Sequence, residues 1–211
     1  MLHGPNDRPT TMARIFLLTG GNAGDVKRTL QRAQQLINDR IGPVLHCSHR
    51  YESEAWGFEA ATRFSNQALE VSTDLEPEAV LDAVQEIERE LGRNRAAEAI
   101  EKASTGAQYA SRTIDIDLLF YDDAIIATER LTIPHPLLAE RRFALVPLCE
   151  IARTKRHPST GLTVGEMLQR IQNSEFTIFI NAEFCMETHT DYRYDGERED
   201  NRQQQENMPL R

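Results

Sequence analysis

Arg112-Thr113-Ile114-Asp115-Ile116-Asp117-Leu118-Leu119-Phe120 is the stretch whose reading decides how this chain folds and what it handles. Successive side chains on an extended strand point to opposite faces. The rule predicts a strand over 113–121 with Ile114, Ile116, Leu118 and Phe120 facing a core. Asp115 and Asp117 then share the other face, roughly 7 Å apart along the backbone. Two carboxylates so placed can converge on a hard cation, and magnesium is often held by one or two carboxylates together with substrate phosphates. The plainer reading is a half-buried strand with a solvated acidic face. What favours the metal is the company: Arg93, Arg95 and Arg112 flank the pair, and Arg130, Arg141 and Arg142 follow it. Guanidinium forks match phosphate oxygens. Acidic metal ligands ringed by arginines suit polyphosphate transfer, in which cations take up the charge that develops on the transferred and leaving groups.

Upstream of this strand, Pro77 opens a helix whose apolar stripe is Val80, Leu81, Val84, Ile87 and Leu91, with Gly92 where a C-cap belongs. Earlier still, 14–19 is an apolar run that stops at Gly20-Gly21-Asn22, as a buried strand ending in a tight turn would. Val26, Leu30, Ala33, Leu36 and Ile37 recur at helical spacing behind Asp25 and before Gly42-Pro43. Strands are expected over 44–54 and 64–71, short apolar pieces at 124–127 and 131–133, and helices over 142–151 and 164–171. The order is that of an α+β, ferredoxin-like βαββαβ sheet with helices on one face, followed by a C-terminal extension. Residues 1–12 read as a flexible leader, 13–172 as the domain, and 173–211 as a polar, largely disordered tail, with 176–180 able to form one more strand. Residues 96–108 read as a long loop whose first half, 96–103, has high helix propensity.

The 211 residues suit one domain with tails; 40% are hydrophobic and 27% charged, enough for a core. A net charge of −9 argues against bulk binding to nucleic acid or anionic membrane. Cys47, Cys149 and Cys185 form no CxxC pair and are odd in number, so plain thiols and a reducing compartment are expected. With a polar start and no apolar run long enough to span a bilayer, the chain reads as cytoplasmic. Gly20-Gly21-Asn22-Ala23-Gly24 is followed by no Gly-Lys-Ser/Thr and makes a poor dinucleotide fingerprint. Neither a Gly-x-Ser-x-Gly nor a His-Glu-x-x-His occurs.

Seven motifs in order make the sequence from about Arg14 to Ile171 resemble the pterin pyrophosphokinases. They are Gly20-Gly21-Asn22, Tyr51-Glu52-Ser53, Phe64-Ser65-Asn66, Gln85-Glu86-Ile87-Glu88, Gly92-Arg93-Asn94-Arg95, Arg112 to Asp117, and Leu131-Thr132-Ile133-Pro134-His135-Pro136 ending in Arg141-Arg142-Phe143. The resemblance implies transfer of pyrophosphate from ATP to 6-hydroxymethyl-7,8-dihydropterin, with AMP leaving, in folate biosynthesis. It implies two magnesium ions on Asp115 and Asp117, and Arg93 and Arg112 as the arginines that matter most to rate. Gln85, Glu88, Arg95, Leu118, Arg130, Thr132, His135 and Arg141 would serve ATP. Ser53, Trp56, Phe64, Asn66, Tyr109 and Phe143 would serve the pterin, the two phenylalanines stacking on the ring and the Asn66 amide reading its polar edge. A monomer with small-molecule partners is expected.

Two departures from the family pattern stand out. Family members commonly carry Arg-Trp-Gly-Pro-Arg before the acidic strand; here the stretch is Gln108-Tyr109-Ala110-Ser111-Arg112, and the loop before it is longer than usual. Two other readings remain at this level. One is a ferredoxin-like nucleic-acid module, which lacks support because there is no aromatic run of the kind such modules use. The other is a family member that binds nucleotide or pterin without turnover, supported only by the altered 108–111 stretch.

Overall fold

The computed structural model describes residues 12–53, 63–105, 112–171 and 178–181. Five strands, β1 (Ala13–Gly21), β3 (Arg50–Ser53), β4 (Phe64–Thr73), β5 (Asp115–Tyr121) and β8 (Ile178–Asn181), lie side by side in the order β5-β1-β4-β3-β8, and β2 (Val44–Cys47) also pairs with β4. All the pairings are antiparallel. β6 (Ile126–Ala127) and β7 (Thr132–Ile133) form a separate two-stranded ribbon.

Local chemistry places the helices. Asp25 caps α1 (Val26–Arg40) by accepting the Arg28 N–H at 3.1 Å. Pro77 begins α2 (Pro77–Glu90), and Gly92 takes a φ of +87° just beyond its end, where a side chain would be strained. The helix-prone first half of the long 96–108 segment forms α3 (Arg95–Thr105), as its propensity predicts. A 3-10 turn (Leu138–Glu140) leads into α4 (Arg142–Ala152), and Thr163 and Glu166 make a reciprocal capping box for α5 (Val164–Arg170).

Alternation along β1 divides the core between the two faces of the sheet. Ile15 and Leu17 join Leu30, Ile37, Val80, Val84 and Ile87 beneath α1 and α2. Phe16 and Leu18 join Leu145, Leu148, Val164 and Met167 beneath α4 and α5. Helices therefore cover both faces, not one. The reason lies in β4 and β5 as well as β1: Ala68, Leu119 and Phe120 make the second face apolar too, and an apolar face must be covered. A bulge explains how β5 serves both clusters. Leu17 sits opposite Leu118 and Phe16 opposite Phe120, so Leu119 is the extra residue. Ile114, Ile116 and Leu118 keep the expected face, while Leu119 and Phe120 turn to the other.

Other boundaries also differ from expectation. Gly20 and Gly21 are the last residues of β1, paired with Asn66 and Ser65, rather than a turn. The strand expected over 44–54 is broken between Cys47 and Arg50, where the Ser48 hydroxyl accepts the Ala68 N–H at 3.0 Å and substitutes for a ladder contact. The extra strand allowed over 176–180 does form, as β8, and pairs with β3, while the rest of the 173–211 tail lies outside the described residues. Cys47 is disulfide-bonded, against the expectation of plain thiols, because pairing depends on proximity in the fold and not on spacing in sequence. Cys149 is a buried free thiol. Among the described residues no helix is long and apolar enough to cross a membrane.

Candidate active site

A pocket of about 500 Å³ opens at the end of the sheet where β1 runs out, walled by β3–β4 on one side and by α2, β5 and β7 on the other. Asp115 and Asp117 both line it, two residues apart on β5 as alternation predicts. Their electrostatic settings differ. Burial alone would raise the Asp115 pKa, but Arg112 and Arg93, both ion-paired to it, outweigh burial and hold the carboxyl below its ordinary value. Among the described residues Asp117 is ion-paired to Arg141 alone, at 3.5 Å. Burial and the like charge of Asp115 push it up to about 7, against the weaker pull of Arg141 and Arg112. About a quarter of each carboxylate side chain stays open to the pocket, 26% for Asp115 and 27% for Asp117, so solvent screens part of this effect.

Arg93 is the hub of the charged end. Its guanidinium meets Glu88 and Asp115 through one nitrogen, and its Nε donates to Glu98 of α3 at 3.1 Å. With 7% of the side chain exposed, it depends on these carboxylates for its charge, which they favour over the desolvation that opposes it. Glu88, buried on α2, also accepts the Ile116 N–H at 2.9 Å and Arg95 at 2.5 Å. It lines the pocket, but both its oxygens are engaged in bracing α2 against β5 and the arginines. Burial, opposed by Arg93, raises its pKa. Gln85, one turn earlier on the same helix, also faces the pocket, with Leu118 and Thr132 opposite it.

His135 and Arg141 close the floor. The Leu137 N–H faces His135 Nδ1 at 3.2 Å and Arg141 Nη1 faces its Nε2 at 3.5 Å, so both ring nitrogens meet donors. Burial and the Arg141 charge depress this histidine to about 4, which keeps the ring neutral near pH 7.

Toward β3 and β4 the lining changes to aromatic and amide groups: Ser53, Phe64, Asn66 and Phe143. Asn66 is buried, and its Nδ2 lies 3.5 Å from Ser53 Oγ. The Arg112 guanidinium carbon sits 6.0 Å from the Phe64 ring centre, and that of Arg141 5.7 Å from the Phe143 ring centre. The arginines thus tie the aromatic end to the acidic end.

Fifteen of the residues expected to form the site therefore meet in one pocket. Arg130 does not: it is exposed and bound to Asp82 and Glu78 on the outer side of α2, while its neighbour Leu131 turns inward. Trp56 and Tyr109 lie outside the described residues. Several contributors escaped the sequence reading. Asn22 accepts the Arg112 N–H through Oδ1 at 2.9 Å, and its own N–H donates to the Arg112 carbonyl at 3.0 Å. Glu98 holds Arg93, and a Cβ at Gly20 would fall 2.5 Å from Asn66 Oδ1. Only the motif match at 20–22 hinted at any of these.

Ion-paired carboxylates and converging arginines at one end of a pocket, with aromatic and amide groups at the other, define a transferase that moves a phosphate-bearing group between a nucleotide and a flat acceptor. Residues 16–153 match the family model of 7,8-dihydro-6-hydroxymethylpterin-pyrophosphokinase (HPPK), and the chain belongs to that family. It is 36% identical over 142 residues to a 2-amino-4-hydroxy-6-hydroxymethyldihydropteridine pyrophosphokinase of Porphyromonas gingivalis, covering 67% of this chain and 92% of the relative. Its likeness to the Bacillus subtilis enzyme of the same name is 32% over 171 residues, or 80% and 96% of the two chains. A crystal structure of HPPK-DHPS from Plasmodium falciparum shares the fold with a TM-score of 0.60 at 14% identity, covering 78% of this chain. This chain spans 46% of the length of that one.

Proposed function

We propose that this pocket is where the chain carries out its family's reaction. The enzyme is an ATP-dependent diphosphotransferase of folate synthesis that moves the pyrophosphoryl group of ATP onto 6-hydroxymethyl-7,8-dihydropterin. The pterin hydroxyl oxygen bonds to the β-phosphorus, the bond from that phosphorus to the α,β-bridging oxygen breaks, AMP leaves, and the hydroxyl proton is released. The observation that carries the assignment of residues is the convergence of Asp115, Asp117, Arg93, Arg112, His135 and Arg141 at one end of the pocket, with Phe64, Asn66 and Phe143 at the other.

The donor set fits magnesium. Asp117 carries a carboxylate whose ionisation is disfavoured by burial and by Asp115, the setting a divalent cation relieves. Among the described residues no cluster of three or more metal-ligating side chains occurs, so the substrate phosphates and water would complete the coordination. Asp115 and Asp117 would hold the ions, which supply charge neutralisation along the phosphate chain. Arg93 and Arg112, bound to Asp115, would exchange that carboxylate for phosphate oxygens as ATP enters. His135 and Arg141 would contact the same chain, with Gln85, Arg95, Leu118 and Thr132 along the nucleotide. Glu88 acts by positioning Arg93 and Arg95. Positioning and charge neutralisation would supply most of the rate, because among the described residues no general base stands over the acceptor end. The strand order supports a ferredoxin-like core carrying a C-terminal addition.

The reading is tested by following nucleotide products with and without pterin. Pterin-dependent AMP is expected. ADP as the product, or bound nucleotide without turnover, would contradict it.

A further inference from the structure

Ser65 and Asn66 are neighbours on β4 and so point to opposite faces of the sheet. Asn66 enters the pocket described above; Ser65 enters a second cavity, of about 490 Å³, on the α1 side. That cavity is lined by Lys27 of α1, by Arg50 and Glu52 of β3, and by Arg63 and Ser65 at the start of β4, with Asn22 at its rim. Three cationic side chains face it against one carboxylate, in a chain whose net charge is −9. The first turn of the 15-residue helix α1, Val26 and Lys27, points its positive end the same way, and the nearby Asp25 carboxylate is committed to the Arg28 N–H. Ser65 supplies the independent sign of a ligand. It is 6% exposed, and its hydroxyl is buried with no hydrogen-bond partner among the described residues. A buried hydroxyl left in that state destabilises the fold unless something else accepts from it or donates to it.

We propose that this cavity is an anion site for a phosphate dianion, either free or as the terminal group of a phosphate ester. Lys27, Arg50 and Arg63 supply the charge, Ser65 Oγ donates a hydrogen bond, and the α1 terminus adds its dipole. Glu52, opposite Ser65 in the β3–β4 pairing, limits the positive charge and disfavours larger anions that would approach it. The site stands across the sheet from the reaction pocket and does not depend on which residues bind ATP or pterin.

The test is a titration of the full chain, without magnesium or nucleotide, followed by amide chemical shifts. One arm uses inorganic phosphate and a second uses glycerol 3-phosphate. Shifts centred on Val26, Lys27, Arg63 and Ser65, saturating in either arm, are expected, and the tighter arm identifies the source of the group. Lys27 and Arg63 are both exposed, so the double variant Lys27→Glu/Arg63→Glu should fold, and it should weaken binding about tenfold or more by removing charge-assisted contacts. Ser65→Ala should weaken it about threefold, one neutral hydrogen bond's worth. Shifts confined to Arg93, Arg112 and His135, no shifts in either arm, or unchanged affinity in the double variant would each overturn the proposal.

Discussion

Asn22 and Arg112, 90 residues apart in sequence, hold each other's main chain: Asn22 Oδ1 accepts the Arg112 N–H at 2.9 Å and Asn22 N–H donates to the Arg112 carbonyl at 3.0 Å. The Ala23 N–H reaches the same carbonyl at 3.2 Å. The end of β1 thereby fixes the backbone from which the Arg112 guanidinium reaches Asp115.

Replacing Asn22 with Ala should therefore cost turnover more than ATP affinity. A hydrogen bond contributes about 0.5–1.5 kcal/mol, so a fall in kcat of up to about tenfold is expected with a small loss of Tm. Asn22→Asp keeps the acceptor oxygen and should recover most of the rate. Steady-state kinetics of the two variants decide it: equal losses in both would mean that the Oδ1 contact to Arg112 is not what matters.

Gly20→Ala should act on the acceptor rather than on ATP. The new Cβ would fall 2.5 Å from Asn66 Oδ1, closer than such atoms approach, so the amide must move. The KM for pterin is expected to rise about tenfold, one displaced polar contact in a binding site, with the KM for ATP nearly unchanged. Parallel rises in both KM values would remove Asn66 from the pterin end.

Two opposed titrations should mask each other in the metal-free protein. The Asp117 pKa is raised to about 7, so the folded state binds the extra proton between the ordinary carboxylate range and pH 7, and stability falls as pH rises through that window. The His135 pKa is lowered to about 4, so the unfolded state binds the extra proton between pH 4 and the ordinary imidazole value, and stability rises with pH there. Asp117→Asn should uncover the rising slope and His135→Gln the falling one. Denaturant unfolding at pH 4.5 to 7 measures both, and like slopes in the two variants would refute the assignment.

The helices were legible where caps were written beside stripes, at Asp25 for α1 and at Pro77 and Gly92 for α2. Asp115 and Asp117 were legible because period-two alternation needs no tertiary knowledge. The second helical layer was not, since nothing local says that the Leu119 bulge turns Phe120 to the other face. Ser48 could interrupt a strand only through its contact with Ala68, and Cys47 could pair only through the fold. Arg130 was drawn into the site by its neighbours in sequence, although Asp82 and Glu78 hold it outside. Asn22 and Glu98 went unseen because each acts on an arginine through a contact that only the folded chain creates.

α3 carries Glu98, which binds the Nε of Arg93, so the helix should respond when Arg93 moves to phosphate. Amide exchange over 95–105 is expected to slow when an ATP analogue and pterin are both bound, as α3 settles over the phosphates. Unchanged protection would make α3 a passive insertion.

Asp117→Ala tests the central claim most directly, measured as pterin-dependent AMP formation at saturating ATP and magnesium. The account predicts a loss of about a thousandfold or more, the scale of removing a metal ligand from a phosphoryl-transfer site, with the unfolding transition retained. Magnesium-dependent AMP formation within a few fold of the unaltered enzyme would contradict it.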